Sequence, residues 1–346
     1  MEEIKKMEIQ LYPLLFEPVY KERIWGGEQL KNTPGRAVPE TGLPVGEAWE
    51  ICDRKDLSSI VENGVLKGKD LHYVLKNHRA ALLGSAAGYV MDDGEEYFPL
   101  LVKLIDAASR LSLQVHPSAE HCRILGKGEE KNELWYVIRS EKDARIFAGL
   151  SPMVTKTQFM DALEGGDGEL EELLQSFDAA AGDAYFIYAG RLHAIGAGVL
   201  LLEIQQNSDT TYRVSDWGRT CADGSKRELH IKESMTCIDF TERTVARITG
   251  ASDSSFHNRK YTILDKCGYF QVTDLKLVEE IHGNTESSSS FHLLSAIDHD
   301  VRVETSAGST LVPASRTCLI PACTGRYRIV PLVKAGECAD VILTTR

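Results

Sequence analysis

Residues Leu111-Ser112-Leu113-Gln114-Val115-His116-Pro117 alternate apolar and polar side chains and then stop at a proline. In an extended chain successive side chains point to opposite faces. Ser112, Gln114 and His116 therefore share one face, and Leu111, Leu113 and Val115 the other. The apolar face packs, while the polar face meets either solvent or a cavity. Pro117 cannot donate to a ladder, so the strand ends directly after His116 and leaves that histidine at a rim.

The same kind of run recurs on both sides. Short apolar or alternating stretches at 98–104, 134–138, 185–188, 199–205, 269–277, 318–321 and 327–330 are separated by Gly, Pro and Asp. Strands of this length with turn signals between them predict an all-β sandwich or barrel. Helical spacing interrupts the pattern at 69–83, 155–163, 169–177 and 228–240. The middle pair, separated by Gly165, Gly166 and Gly168, reads as a small helical insertion around 151–180. The serine run within 285–290 predicts a flexible surface loop. A division near residue 245 gives two domains, 1–245 and 246–346.

A short internal echo supports two similar halves. Ile187-Tyr188-Ala189-Gly190-Arg191-Leu192-His193 aligns with Ile320-Pro321-Ala322-Cys323-Thr324-Gly325-Arg326, with Arg326 opposite His193. On this alignment only the first half keeps the histidine.

Composition bounds the function. The 346 residues carry 43% hydrophobic and 26% charged side chains, an ordinary globular balance. A formal net charge of −12 repels polyanions, which argues against nucleic acid and anionic membranes as partners. Any phosphate must be held by a local cluster of cations. None of the eight cysteines shows C-x-x-C spacing, so reduced structural thiols are expected. No window approaches the roughly 18 apolar residues of a membrane span. The N-terminal residues lack the pattern of a signal peptide. A cytoplasmic setting is expected.

The chemistry concentrates in three segments. His116 ends the opening strand, Glu133 precedes the apolar run at 134–138, and His193 follows the Ala189-Gly190 turn and precedes Gly196 and Gly198. Glycines flanking a histidine let the backbone turn sharply enough to aim one side chain inward. With Gln114 these residues offer two imidazoles, one carboxylate and one amide oxygen, a set that suits zinc or a similar divalent ion with a position open for substrate. Each segment alone also has an ordinary reading, as a polar strand face, a solvated glutamate or a hydrogen-bonded structural histidine. The expectation rests on their convergence.

Three longer motifs carry a family resemblance. The segment 111–117, the turn from Gly182-Asp183 to Ala189-Gly190-Arg191-Leu192-His193-Ala194-Ile195-Gly196, and Glu203-Ile204-Gln205-Gln206-Asn207-Ser208-Asp209-Thr210-Thr211-Tyr212-Arg213-Val214 together resemble the type I mannose-6-phosphate isomerases in their shorter bacterial form. Arg23-Ile24-Trp25-Gly26-Gly27, Gly46-Glu47-Ala48-Trp49-Glu50 and Arg227-Glu228-Leu229-His230-Ile231 add support. The resemblance implies cupin-type jelly-roll barrels, and the echo at Arg326 then implies two of them, the second without a metal site. It also implies one zinc ion per chain and interconversion of mannose 6-phosphate and fructose 6-phosphate, so that a small sugar phosphate is the partner. It places the metal ligands on Gln114, His116, Glu133 and His193, an essential arginine on Arg213, and further site positions on Lys103, Ser112, Lys131 and Asp209. Lys131 and Asp209 are both candidates for the base, and Lys103 and Ser112 for phosphate contacts. Without the resemblance, Lys103 reads as a residue snorkelling to the surface. Tyr188, Asn132 and Ser215 depart from the family pattern; none removes a ligand, and Ser215 bears on sugar preference. Rival readings are an isomerase of a different or unphosphorylated sugar, and a non-catalytic metal-bearing sugar-binding cupin.

Overall fold

The computed structural model describes residues 10–346 apart from 41, 222, 242–243, 249–250, 255–257 and 266. The fold is mostly β, with five short α-helices among the described residues. The chain forms two compact units. A middle unit is built from Pro18–Cys52 and the chain from Pro99 to 248. A terminal unit gathers the described residues up to Glu17, Asp53–Phe98, and those beyond 250. The expected division into 1–245 and 246–346 thus runs differently, because chain from both sides of residue 245 packs into the terminal unit.

In the middle unit a seven-stranded sheet runs in the order Arg247–Ile248, Ala184–Ile187, Glu133–Ser140, Val199–Gln206, Leu100–Ala107, Val45–Ile51, Val19–Glu22. A five-stranded sheet runs Leu174–Asp178, Arg145–Leu150, His193–Ile195, Leu113–Val115, Tyr212–Ser215. Neither closes on itself. One core joins them: Trp135, Val137, Tyr185 and Leu201 of the large sheet pack with Ile146, Ala148 and Ile195 of the small one. The opposite face of the small sheet, with Leu113, Val115 and Phe147, packs on Phe159, Ala162 and Leu170 of two helices. The alternation read at 111–117 holds over the strand Leu113–Val115, whose two apolar residues are fully buried while Gln114 faces the other way into a cavity; Leu111, expected on the face of Leu113 and Val115, instead packs in the first core with Trp135 and lines that cavity beside Ser112.

Local signals explain the helices. Thr155 caps Lys156–Gly165, accepting from Gln158 N while the Gln158 side chain reaches back to Thr155 N. The stretch expected as a second helix is helical only over Asp167–Glu172; Leu174–Asp178 instead joins the sheet beside Arg145–Leu150. Edge pairing overrides helical spacing there. Sequence periodicity missed the helix Ala119–Leu125, which Ser118 caps and Gly126 ends with a φ of +64°.

The terminal unit repeats the plan. Its seven-stranded sheet runs Leu14–Leu15, Arg316–Ile320, His292–Ala296, Ala339–Thr345, Gln271–Leu277, Arg259–Leu264, Ala251–Ser254, and its four-stranded sheet Ile281–Asn284, Arg326–Pro331, Val301–Thr305, Gly308–Val312. Their shared core includes Leu294, Cys318, Val341, Val303 and Ile329. Asp70 caps the helix Leu71–Leu83 by accepting from Tyr73 N at 2.6 Å. The serine-rich stretch is not a free surface loop: Thr285–Ser287 forms a 3-10 turn, and Thr285 and Ser290 are buried.

Candidate metal centre

His116, Glu133 and His193 lie on three separate segments and converge. One potential ligand atom from each falls within 4.8 Å of the others, and all three side chains are wholly buried. His116 follows the strand Leu113–Val115, Glu133 opens Glu133–Ser140, and His193 opens His193–Ile195. Sheet register brings them together. Glu133 pairs with Ile187, six residues before His193 along the chain, and His193 lies directly across from Gln114.

The hydrogen bonds decide what these groups can do. His116 Nδ1 lies 3.0 Å from Thr210 O, and His193 Nδ1 lies 2.8 Å from Arg191 O. A carbonyl only accepts, so each Nδ1 carries the proton and each Nε2 presents a lone pair. Both Nε2 atoms and both Glu133 oxygens are buried without a hydrogen-bond partner. They face one another, with His116 Nε2 3.3 Å from Glu133 Oε2 and His193 Nε2 3.6 Å from Oε1. Four converging acceptors, buried and unsatisfied, form an arrangement that a divalent cation completes.

The protonation states agree. Burial pushes His193 down to about 3, with the neighbouring His116 adding to the effect, and burial together with the Lys131 charge lowers His116. Both are neutral at neutral pH, the form in which an imidazole can serve as a metal ligand. Burial works to raise Glu133, but Lys131, His116 and His193 outweigh it and hold the carboxyl well below its usual range. Lys131 Nζ sits 3.0 Å from Glu133 Oε2 without the geometry of a hydrogen bond.

This makes a testable statement about the metal-free protein. Histidines depressed below an unfolded value of about 6.5 favour the fold while neutral, so their contribution is full above that pH and shrinks as pH falls toward about 3. Urea unfolding at pH 7.5, 6 and 5 should show wild type losing more stability on acidification than His193→Ala. Parallel losses in the two proteins would contradict the buried neutral histidine.

A cavity of about 510 Å³ in the same unit is lined by Gln114, Lys131, Ser112, Lys103, Asp209 and Arg213, so the expected site residues outside the buried trio share one wall system. Arg23 and Arg227 join them, giving five cations against the carboxylates of Glu22, Glu47, Glu203 and Asp209. Lys103, Lys131, Arg23 and Arg227 already face carboxylates of Glu203, Glu133, Glu47 and Asp216, so the cations of this cavity are shared with acidic side chains. Lys103 does not snorkel; it is 4% exposed, donates to Gln205 Oε1 at 2.7 Å and lies 3.1 Å from Glu203 Oε1. Burial opposes its charge, but Glu203, Glu47 and Asp209 raise its pKa above the ordinary lysine value. Asp209 is exposed on the wall, its N–H donating to Glu129. Arg213 donates to Glu228 O at 2.8 Å, while its Nε is buried without a partner.

Two carboxylates were given no role by sequence reasoning, although both sit in the quoted motifs. Glu203 accepts from Trp135 Nε1 at 3.0 Å and faces Lys103; burial, then the nearby Glu133 charge, raises its pKa. Glu47 accepts twice from Arg23, at 2.8 and 3.0 Å, and once from Trp49 Nε1 at 2.7 Å. The register Trp135, Glu203, Lys103, Trp49 across four adjacent strands creates this row. Such cross-strand pairing has no signature along the chain.

Fold and site together define a class: a mostly β protein whose middle unit holds a candidate His–Glu–His metal centre beside a cation-rich cavity. Comparison with known proteins narrows it. Residues 14–144 match the model of phosphomannose isomerase type I, catalytic domain. The chain is 37% identical to mannose-6-phosphate isomerase ManA of Bacillus subtilis (strain 168), over 84% of this chain and 87% of that protein. It is 38% identical to the probable mannose-6-phosphate isomerase GmuF of the same organism, over 77% and 80%. Its fold superposes on the crystal structure of the mannose 6-phosphate isomerase from Bacillus subtilis with a TM-score of 0.83 and 28% identity, covering 96% of this chain and 99% of that one. The chain belongs to the type I phosphomannose isomerase family.

Proposed function

We propose that this protein is a metal-dependent aldose–ketose isomerase interconverting mannose 6-phosphate and fructose 6-phosphate through an enediol. The observation that carries the reading is the set of unsatisfied Nε2 and carboxylate atoms of His116, Glu133 and His193 beside a cavity rich in cations. Gln114, across the ladder from His193, is the proposed fourth ligand. The nitrogen and oxygen donors suit one zinc ion per chain. A bound ion supplies Lewis-acid stabilisation of negative charge on the sugar oxygens.

The chain's own groups do the rest. Moving the carbonyl between C1 and C2 requires a proton taken from one carbon and returned to its neighbour. Lys131, beside the ligand Glu133, and Asp209, exposed on the cavity wall, are the two candidates for this base. Arg213 stays charged and lines the cavity, where its guanidinium stabilises the oxygen on which charge develops. Lys103 and Ser112 hold the phosphate from the opposite chemistry, a cation and a hydroxyl. We assign catalysis to the middle unit, with the helical pair at 156–172 as its insertion, and read both units as cupin-type jelly rolls, the terminal one without a metal. Eight cysteines with no disulfide among the described residues favour a reducing, cytoplasmic setting.

Lys103→Ala tests the phosphate assignment. It should raise KM for mannose 6-phosphate about 10- to 100-fold, the equivalent of losing a hydrogen bond to a charged group. Turnover of unphosphorylated mannose should change little. Equal losses with both sugars would assign Lys103 to the sugar ring or to the fold, a distinction that a thermal melt of the variant makes.

A further inference from the structure

The echo between 187–193 and 320–326 can be followed strand by strand, and it leads to a second position in the terminal unit. Glu133 pairs with Ile187 in the middle unit, and His292 pairs with Ile320 in the terminal one. His292, Leu294 and Ala296 thus take the inward places of Glu133, Trp135 and Val137. On the smaller sheets the matching residue is not Arg326. Arg326 is exposed, whereas Tyr327 and Ile329 face the core as His193 and Ile195 do. The loop from Ile320 to Tyr327 is one residue longer than that from Ile187 to His193, which displaces the echo by one position. Tyr327 lies across from Gly283 as His193 lies across from Gln114, and the buried Thr285, two residues on, falls in the place of His116.

We propose that the interior of the terminal unit is a plugged copy of the candidate metal position, in which the Tyr327–His292 hydrogen bond joins the two sheets at the place where a metal held by His116, Glu133 and His193 would join them in the middle unit. His292 Nδ1 and Tyr327 Oη are 2.6 Å apart, and His292 Nε2 is 2.9 Å from Ser288 Oγ. Both nitrogens of His292 are therefore satisfied from within the protein, unlike the Nε2 atoms of His116 and His193. The plug also fills the volume of the fourth ligand: a Cβ on Gly283 would lie 2.2 Å from Tyr327 Cζ, so the tyrosine ring occupies the space that a side chain there would need. The row Trp135, Glu203, Lys103 is replaced at the matching register by Leu294, Leu343 and Thr273, which removes its charges along with the ligands. The ligand class the position would accept, once the tyrosine is exchanged for a ligating side chain, is a divalent transition metal.

This inference rests on the reading of His116, Glu133 and His193 as a metal centre, and ion counting separates the two. The full chain is loaded with Co2+, dialysed, and assayed for bound metal and for the visible absorption of cobalt. Wild type should hold one ion. The double variant Thr285→His with Tyr327→His supplies two imidazoles beside His292 and should hold two, one of which survives addition of His193→Ala. A folded, isomerase-active double variant that still binds one ion overturns the proposed equivalence; a wild type that binds none overturns the metal centre itself. Tyr327→Phe keeps the ring and removes the bond, so it remains informative where the double variant does not fold. Its Tm should drop by roughly 2–4 °C. An unchanged Tm would show that the bond does not join the sheets.

Discussion

His193→Ala should lose its metal and, with it, more than about 100-fold of kcat/KM. Removal of an outer hydrogen-bond partner of a metal ligand already costs 10- to 100-fold, and His193 would contact the ion itself. The substitution also leaves Glu133 and His116 facing each other across a wholly buried gap with one acceptor fewer to share a cation. The check is metal content by elemental analysis alongside turnover of mannose 6-phosphate. Retention of stoichiometric metal with normal turnover would exclude His193 as a ligand. The alanine variant of Gln114 should lose less, because a neutral amide oxygen is a weaker donor than an imidazole or a carboxylate.

The second large effect is expected from Arg213→Ala. Arg213 lines the cavity, has a buried Nε without a partner, and remains cationic although burial and the nearby Arg227 lower its pKa. A preorganised donor aimed at developing charge typically accounts for about 10²- to 10³-fold in kcat. Arg213→Ala should lose that factor while keeping its full metal content, and Arg213→Lys should recover only part because a lysine lacks the planar fork. The pairing of lost turnover with retained metal distinguishes an isomerase from a protein that merely binds sugar. A loss confined to KM would place Arg213 in ground-state binding instead.

Part of this candidate site is legible in the sequence. The alternation at 113–115 sets Gln114 toward the cavity because period-2 patterning acts locally, whereas His116, expected at a rim after the strand, is wholly buried, since the segments carrying Glu133 and His193 close over it. The glycine-flanked turn marks His193 by an equally local signal. What stayed hidden depends on neighbours remote in sequence. Glu203 and Glu47 acquire their roles only when four strands align Trp135, Glu203, Lys103 and Trp49 side by side. The burial of Lys103 follows from the same row, so a rule that sends lysines to the surface failed there. The echo at Arg326 was seen in the sequence but displaced by one residue, and inward-facing Tyr327 shows why: a one-residue change in loop length reverses which side chain points into the core. The mixed course of the units, with 53–98 joining the C-terminal strands, has no local signal at all.

The most direct measurement is a coupled assay for conversion of mannose 6-phosphate to fructose 6-phosphate on the same preparation before chelation, after chelation, and after zinc is restored. Activity should disappear with the metal and return with it. Full activity in protein shown by elemental analysis to be free of metal would contradict the assignment of His116, Glu133 and His193 as the catalytic centre.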